Sequence, residues 1–184
     1  MCAVRENVAR EGLMQQEPRW PSVIGTIGIV IGIVLLIDTA DDVLTLQWTA
    51  EHWRRIFAPE IADVIARAMP SVGMRIVSTV VQVALAALLV VGCLALRRRS
   101  RAGVVHCRLW AWLAIAWVVI QLARGAVWLR QFGNDLPSVG AVTPHAYALF
   151  AGALAAVILL AFPVFLLVWL SRPAVRAEYE RWAN

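Results

Sequence analysis

MRIVSTVVQVALAALLVVGCLAL, residues 74–96, is followed after RRRSRAG, residues 97–103, by VVHCRLWAWLAIAWVVIQLARGAVWL, residues 104–129. The two apolar blocks of 23 and 26 residues reach roughly 34 and 39 Å as helix at 1.5 Å per residue. That is enough to cross a hydrocarbon core of about 30 Å with tilt. The linker between them holds four arginines and is short enough only to turn the chain back. The pair predicts a helical hairpin through a membrane, its turn held on the side where basic residues are retained.

Working outward, residues 21–37 (PSVIGTIGIVIGIVLLI) and 147–170 supply two further apolar segments. The first is the shortest, and it thins the bilayer or recruits Trp20 as an interfacial extension. The fold class is all-α: an integral membrane four-helix bundle, with short amphipathic helices in the first outer loop and a C-terminal interfacial helix. Residues 1–20 form an N-terminal segment, 21–170 the four-span domain and 171–184 an amphipathic tail. Of 184 residues 61% are hydrophobic and 16% charged, against roughly 25% charged in soluble domains, which excludes an ordinary soluble fold. A cleaved signal peptide fits the start poorly: 20 residues of mixed charge precede the apolar run, and Asp38-Thr39-Ala40 puts an acid where cleavage needs small residues.

All 17 basic residues are arginine. Eleven lie in the N-terminal segment, the 97–108 turn region and the tail, against five on the other side (Arg54, Arg55, Arg67 and Arg130 in the two other connections and Arg75 at the start of span two), together with seven acids. This bias predicts both termini on the cytoplasmic side. Arginine-only usage points to a bacterial inner membrane, and a basic balance of this origin implies no nucleic-acid partner. Cys2, Cys93 and Cys107 are odd in number without a C-x-x-C, so no disulfide framework is implied.

The outer loop over 38–73 is too long to be structureless. Thr49 caps a helix through Phe57, with Trp48 and Trp53 in a staple relation, and Pro59 opens a second helix that Pro70 stops. Trp48, Trp53, Ile56 and Phe57 make an aromatic surface for the outer interface, a partner or a lipid. Gly133, Asn134, Pro137 and Gly140 mark the other outer loop as turns, and Thr143-Pro144 starts span four. Val175, Tyr179 and Trp182 share one face of the tail, which is expected on the cytoplasmic membrane surface. Small residues at four-residue spacing, Gly28 and Gly32 on span one and Ala148, Gly152 and Ala156 on span four, predict a close pair between those spans, within the chain or between protomers. Pro163 removes the bond to Leu159 and kinks span four.

Candidate functional residues stand out by being polar where the surroundings are not. Span three carries Trp110, Ala114, Trp117, Gln121, Arg124 and Trp128 on one face, and span two carries Gln82. Gln82 and Gln121 lie at similar depth and are able to bond across helices, while Arg124 either snorkels to the interface or meets an outer acid, a headgroup or a substrate. The histidines predict no metal or haem site: His52 and His145 are outside, His106 is inside, and H-E-x-x-H is absent. No cofactor is expected. Paired outer cysteines of disulfide-generating quinone reductases, the first-helix Glu of small multidrug transporters and the G-x-S of intramembrane serine proteases are all missing. The reading is a non-enzymatic structural or accessory protein that binds lipid, another membrane protein or a second copy of itself. Its rivals are a small channel or transporter with a path at Gln82, Gln121 and Arg124, and a lipid-acting enzyme using His52 and His145.

Overall fold

The chain turns back on itself three times, and each long helix packs on the one before it. The structure, a computed structural model, describes residues 19–45, 70–132 and 144–182 together with Arg55 and Asp63. Among these lie α1 (Trp20–Thr45), α2 (Val72–Arg97), α3 (Arg101–Phe132), α4 (Pro144–Ser171) and the short α5 (Pro173–Tyr179), with no strand. Four stretches, Trp20–Ala40, Val72–Arg97, Arg101–Gln131 and Leu149–Ser171, are long and apolar enough to cross a membrane. The chain is a multi-pass, all-α membrane protein. The aromatic surface of Trp48, Trp53, Ile56 and Phe57, the N-terminal segment and the 133–143 connection lie outside the described residues.

One end of the bundle is built by the arginine turn. Ser100 N–H bonds to Ala95 O at 3.0 Å and Arg99 N–H to Leu96 O at 2.9 Å, closing the last carbonyls of α2. Arg99 adopts φ 54° to do so. Gly103 then lets α3 start hard against α2, since a Cβ there would collide with the backbone of Ala95 and Leu96. We call this the turn end, and the opposite end the loop end. At the loop end, the Ser71 hydroxyl caps α2 by accepting from Met74 N–H at 3.3 Å.

α1 is longer than its apolar run suggests. It passes through Asp38 and continues to Thr45, because aspartate does not break a helix and Thr39 turns its hydroxyl back onto Leu35 O at 2.6 Å. The apolar span within it, Trp20–Ala40, ends three residues beyond Ile37 and is the shortest of the four, as expected.

The glycines of α1 meet α2, not α4. A Cβ on Gly28 would strike Cys93 Sγ, one on Gly32 would lie 2.6 Å from Val90 Cγ2, and one on Gly25 would strike the Arg97 side chain. Positions rise along α1 as they fall along α2, the register of an antiparallel pair. The expected pairing of Gly28 and Gly32 with Gly152 and Ala156 does not form within the chain. Small residues permit close approach without naming the partner, and Cys93, Val90 and Ala86 offer the fitting ridge. A Cβ on Gly152 would meet nothing within 4 Å, and the Ala148 side chain lies outside the description.

The packed core sits in the turn-end half. Leu89, Cys93 and Leu96 of α2, Cys107 and Ala111 of α3, and Leu166 and Leu170 of α4 are fully buried there. The tail completes this core. Val175 and Trp182 are only 7% and 8% exposed. Trp182 stacks on Trp20 with ring centres 5.5 Å apart, and Trp20 Nε1 donates to Glu178 Oε2. Arg108 fastens the corner, donating to Leu170 O at 2.7 Å and to Tyr179 Oη at 3.1 Å. With only Arg172 between α4 and α5, the apolar face of the tail finds the bundle end before it finds lipid. Arg176 and Glu180 point away and pair at 2.8 Å, and the carboxylate raises the guanidinium pKa.

Candidate binding site

Within α2, Arg75, Ser78, Thr79 and Gln82 recur at the three- and four-residue spacing that gathers side chains on one helix face. Gln121 and Arg124 do the same on α3. In the loop-end half these faces meet around a cavity of about 240 Å³, bordered by all six and by Pro70. Gln82 and Gln121 stand about 15 Å below the loop ends of their helices, at 1.5 Å per residue, and Arg124 one turn nearer the end.

Arg124 Nη1 donates to Gln121 Oε1 at 3.0 Å, and Gln121 Nε2 donates to Ser78 Oγ at 3.5 Å. The guanidinium thereby orients the amide, whose other end reaches across to α2. The cross-helix partner of Gln121 is thus Ser78 and not Gln82. Gln82 Oε1 is buried and has no partner among the described residues. Among the described residues the lining contains two arginines and no carboxylate, and Arg124 has no acidic partner.

A second space opens beside the first. α3 and α4 diverge towards the loop end and leave a crevice of about 630 Å³ with Trp117, Leu122 and Trp128 on one wall and Gly152, Ala156 and Leu159 on the other. Neither Gly125 nor Gly152 has a neighbour within 4 Å of a built Cβ, so the small residues here mark an opening, not a contact. Gln82 and Gln121 border both the cavity and the crevice, so the polar space and the apolar one adjoin at these two side chains.

The third space is a chamber of about 160 Å³ among all four spans, touched by Thr39, Gln82, Trp110, Trp117 and Leu159. Trp110 is 3% exposed and its Nε1 is buried with no partner among the described residues. Phe162 tilts against Trp110 with ring centres 5.8 Å apart.

The structure thus brings Gln82, Gln121 and Arg124 to one cavity. Sequence reasoning missed Arg75, Ser78 and Thr79, although with Gln82 they form a legible polar stripe in an otherwise apolar span. His106 is occupied locally, its Nδ1 2.7 Å from Ala102 O. Cys93 and Cys107 approach to 4.0 Å between sulfurs, buried in the turn-end core and away from the cavity. Among the described residues no group of three His, Cys, Asp or Glu side chains is placed to hold a metal; His52 and the side chain of His145 lie outside the description.

No protein-family model, no curated protein and no solved structure matches the chain.

Proposed function

We propose that this chain is a non-enzymatic accessory protein of a bacterial inner membrane, termini cytoplasmic, that holds a membrane amphiphile in the crevice between α3 and α4. The observation that carries the reading is the shared border: Gln82 and Gln121 line both the polar cavity and the apolar crevice. Sites for amphiphiles combine a mostly apolar cleft with a few fixed polar groups, and here an apolar chain in the crevice brings its polar end to the cavity. The loop end is the outer side in this reading, so the ligand enters from the outer leaflet. Conduction is less well supported, because Leu89, Leu96, Leu166 and Leu170 fill the turn-end half.

The test is native mass spectrometry of the full chain after gentle extraction from its own membrane, on wild type and Gly152→Phe. The glycine has open space around it, so the phenyl ring fills the crevice without a clash in the fold. Retention of an amphiphile by wild type and its loss from the variant, at unchanged helical content, are expected. A wild-type chain that retains none, or a variant that retains the same one, overturns the reading. A second copy of the chain or another protein held in its place would do so too.

A further inference from the structure

We infer that the amphiphile is anionic, its phosphate headgroup held in the loop-end cavity by Arg124 with Gln121 and Ser78. The inference rests on the crevice reading and names the chemistry of its polar end. Three observations carry it.

The first is charge. Arg124 enters the cavity about 10 Å inside its span, at 1.5 Å per residue, and guanidinium groups at membrane depth are costly unless paired or hydrated. Its hydrogen bond goes to the neutral Gln121 amide. Among the described residues that line the cavity there is no carboxylate. The Arg124 guanidinium, with no acidic partner among the described residues, gives the space a positive charge complementary to an anion.

The second is donor geometry. Arg124 bonds Gln121 through Nη1, and a planar guanidinium carries five N–H donors in a fork that suits phosphate oxygens. Ser78 Oγ accepts from Gln121 and keeps its own O–H to donate. Thr79 adds a second hydroxyl to the wall. The cavity of about 240 Å³ corresponds to about eight waters at ~30 Å³ each, room for a phosphate with some of its hydration.

The third is continuity. The headgroup and chain of one lipid need neighbouring spaces, and the cavity and the crevice adjoin at Gln82 and Gln121. A soluble anion needs only the cavity, so the crevice favours a lipid as its source.

The experiment uses the purified full chain in a neutral detergent, titrated with phosphatidylglycerol or with phosphatidylcholine of the same acyl chains, with bound lipid counted by native mass spectrometry. Wild type is expected to hold the anionic lipid at least ten-fold more tightly. Arg124→Gln should bring the two affinities together while phosphatidylcholine binding stays as it was, and Arg124→Lys should restore part of the preference. Because the chain is basic overall, Arg98→Gln at the turn end serves as the control and should leave the ratio unchanged. Equal affinities in wild type, or a ratio that Arg98→Gln lowers as much as Arg124→Gln, overturn the anionic headgroup and leave the crevice reading standing. Failure to bind either lipid overturns both. Inorganic phosphate at millimolar concentration that displaces the anionic lipid completely, lipid and ion competing as equals, overturns the lipid as its source.

Discussion

Replacing Gly28 by alanine tests the central contact of the bundle, the close approach of α1 to α2. The new methyl would overlap Cys93 Sγ, while its distances to Cys93 Cβ and Phe162 Cζ, 3.4 and 3.5 Å, would be ordinary. Overpacking of this kind costs about 1–3 kcal/mol, and the better helix propensity of alanine offsets up to about 1 kcal/mol. A net loss of about 1–2 kcal/mol is expected. Cys93→Ala alone removes one fully buried atom and costs about 1 kcal/mol, similar to the loss of a methylene. That loss is one of dispersion contacts, because lipid supplies no hydrophobic drive between helices. In the double variant the new methyl occupies the space the sulfur vacates, so the two losses do not add. A favourable coupling of about 1–3 kcal/mol is expected, in the range seen for residues in contact. The assay is unfolding in mixed micelles with rising dodecyl sulfate, followed by circular dichroism, for wild type, both singles and the double. Additive losses, or a Gly28→Ala protein as stable as wild type, would refute the α1–α2 packing and return the glycines to some other partner.

Arg108→Leu removes the bonds to Leu170 O and Tyr179 Oη and should cost about 1–3 kcal/mol. It should also release the tail, read as altered fluorescence of the Trp20–Trp182 stack; unchanged emission and stability would argue against the corner. Gln82→Leu deletes a buried carbonyl oxygen with no partner among the described residues. In the ligand-free protein it should raise stability by about 1–3 kcal/mol, and a loss of stability would mean that the amide is satisfied. Arg99 at φ 54° stands where a β-branched side chain is strained, so Arg99→Val should destabilise by about 1–2 kcal/mol while Arg99→Gly should not. Equal effects in the same micelle titration would contradict the turn.

The spans were legible because membrane helices declare themselves by composition and length, and the 97–103 linker left no room for anything but a tight turn. Helix ends were less so. The apolar run stops at Ile37 while the helix goes on to Thr45, because the backbone bonds of α1 do not depend on the side chain at Asp38. The choice of helix partner was not legible at all. Gly28, Gly32, Gly152 and Ala156 state only that backbones have room to approach, and at Gly152 the room is left empty. The tail shows the same limit: the shared face of Val175, Tyr179 and Trp182 was readable, its target was not. Gln82, Gln121 and Arg124 stood out against an apolar background, whereas the crevice is a product of how α3 and α4 diverge, which no local pattern records.

Pro163 sits at a boundary that gives it mechanical meaning. On its turn side, α4 is clamped by Leu166 and Leu170, both fully buried, and by the Arg108 bond to Leu170 O. On its loop side, Leu159 and Gly152 border the crevice, and Leu154, Val157 and Ile158 are more than half exposed. The helix is a cantilever whose root is fixed and whose weakest section is the residue that carries no N–H. From Pro163 to Leu149 the free arm measures about 21 Å at 1.5 Å per residue, so a bend of about 10° at the proline swings its tip by roughly 4 Å. That travel matches the contact distance of one hydrocarbon chain, about 4 Å. A small flexure at a single residue therefore changes the crevice most at its loop end and least beside Leu159, four residues from the proline.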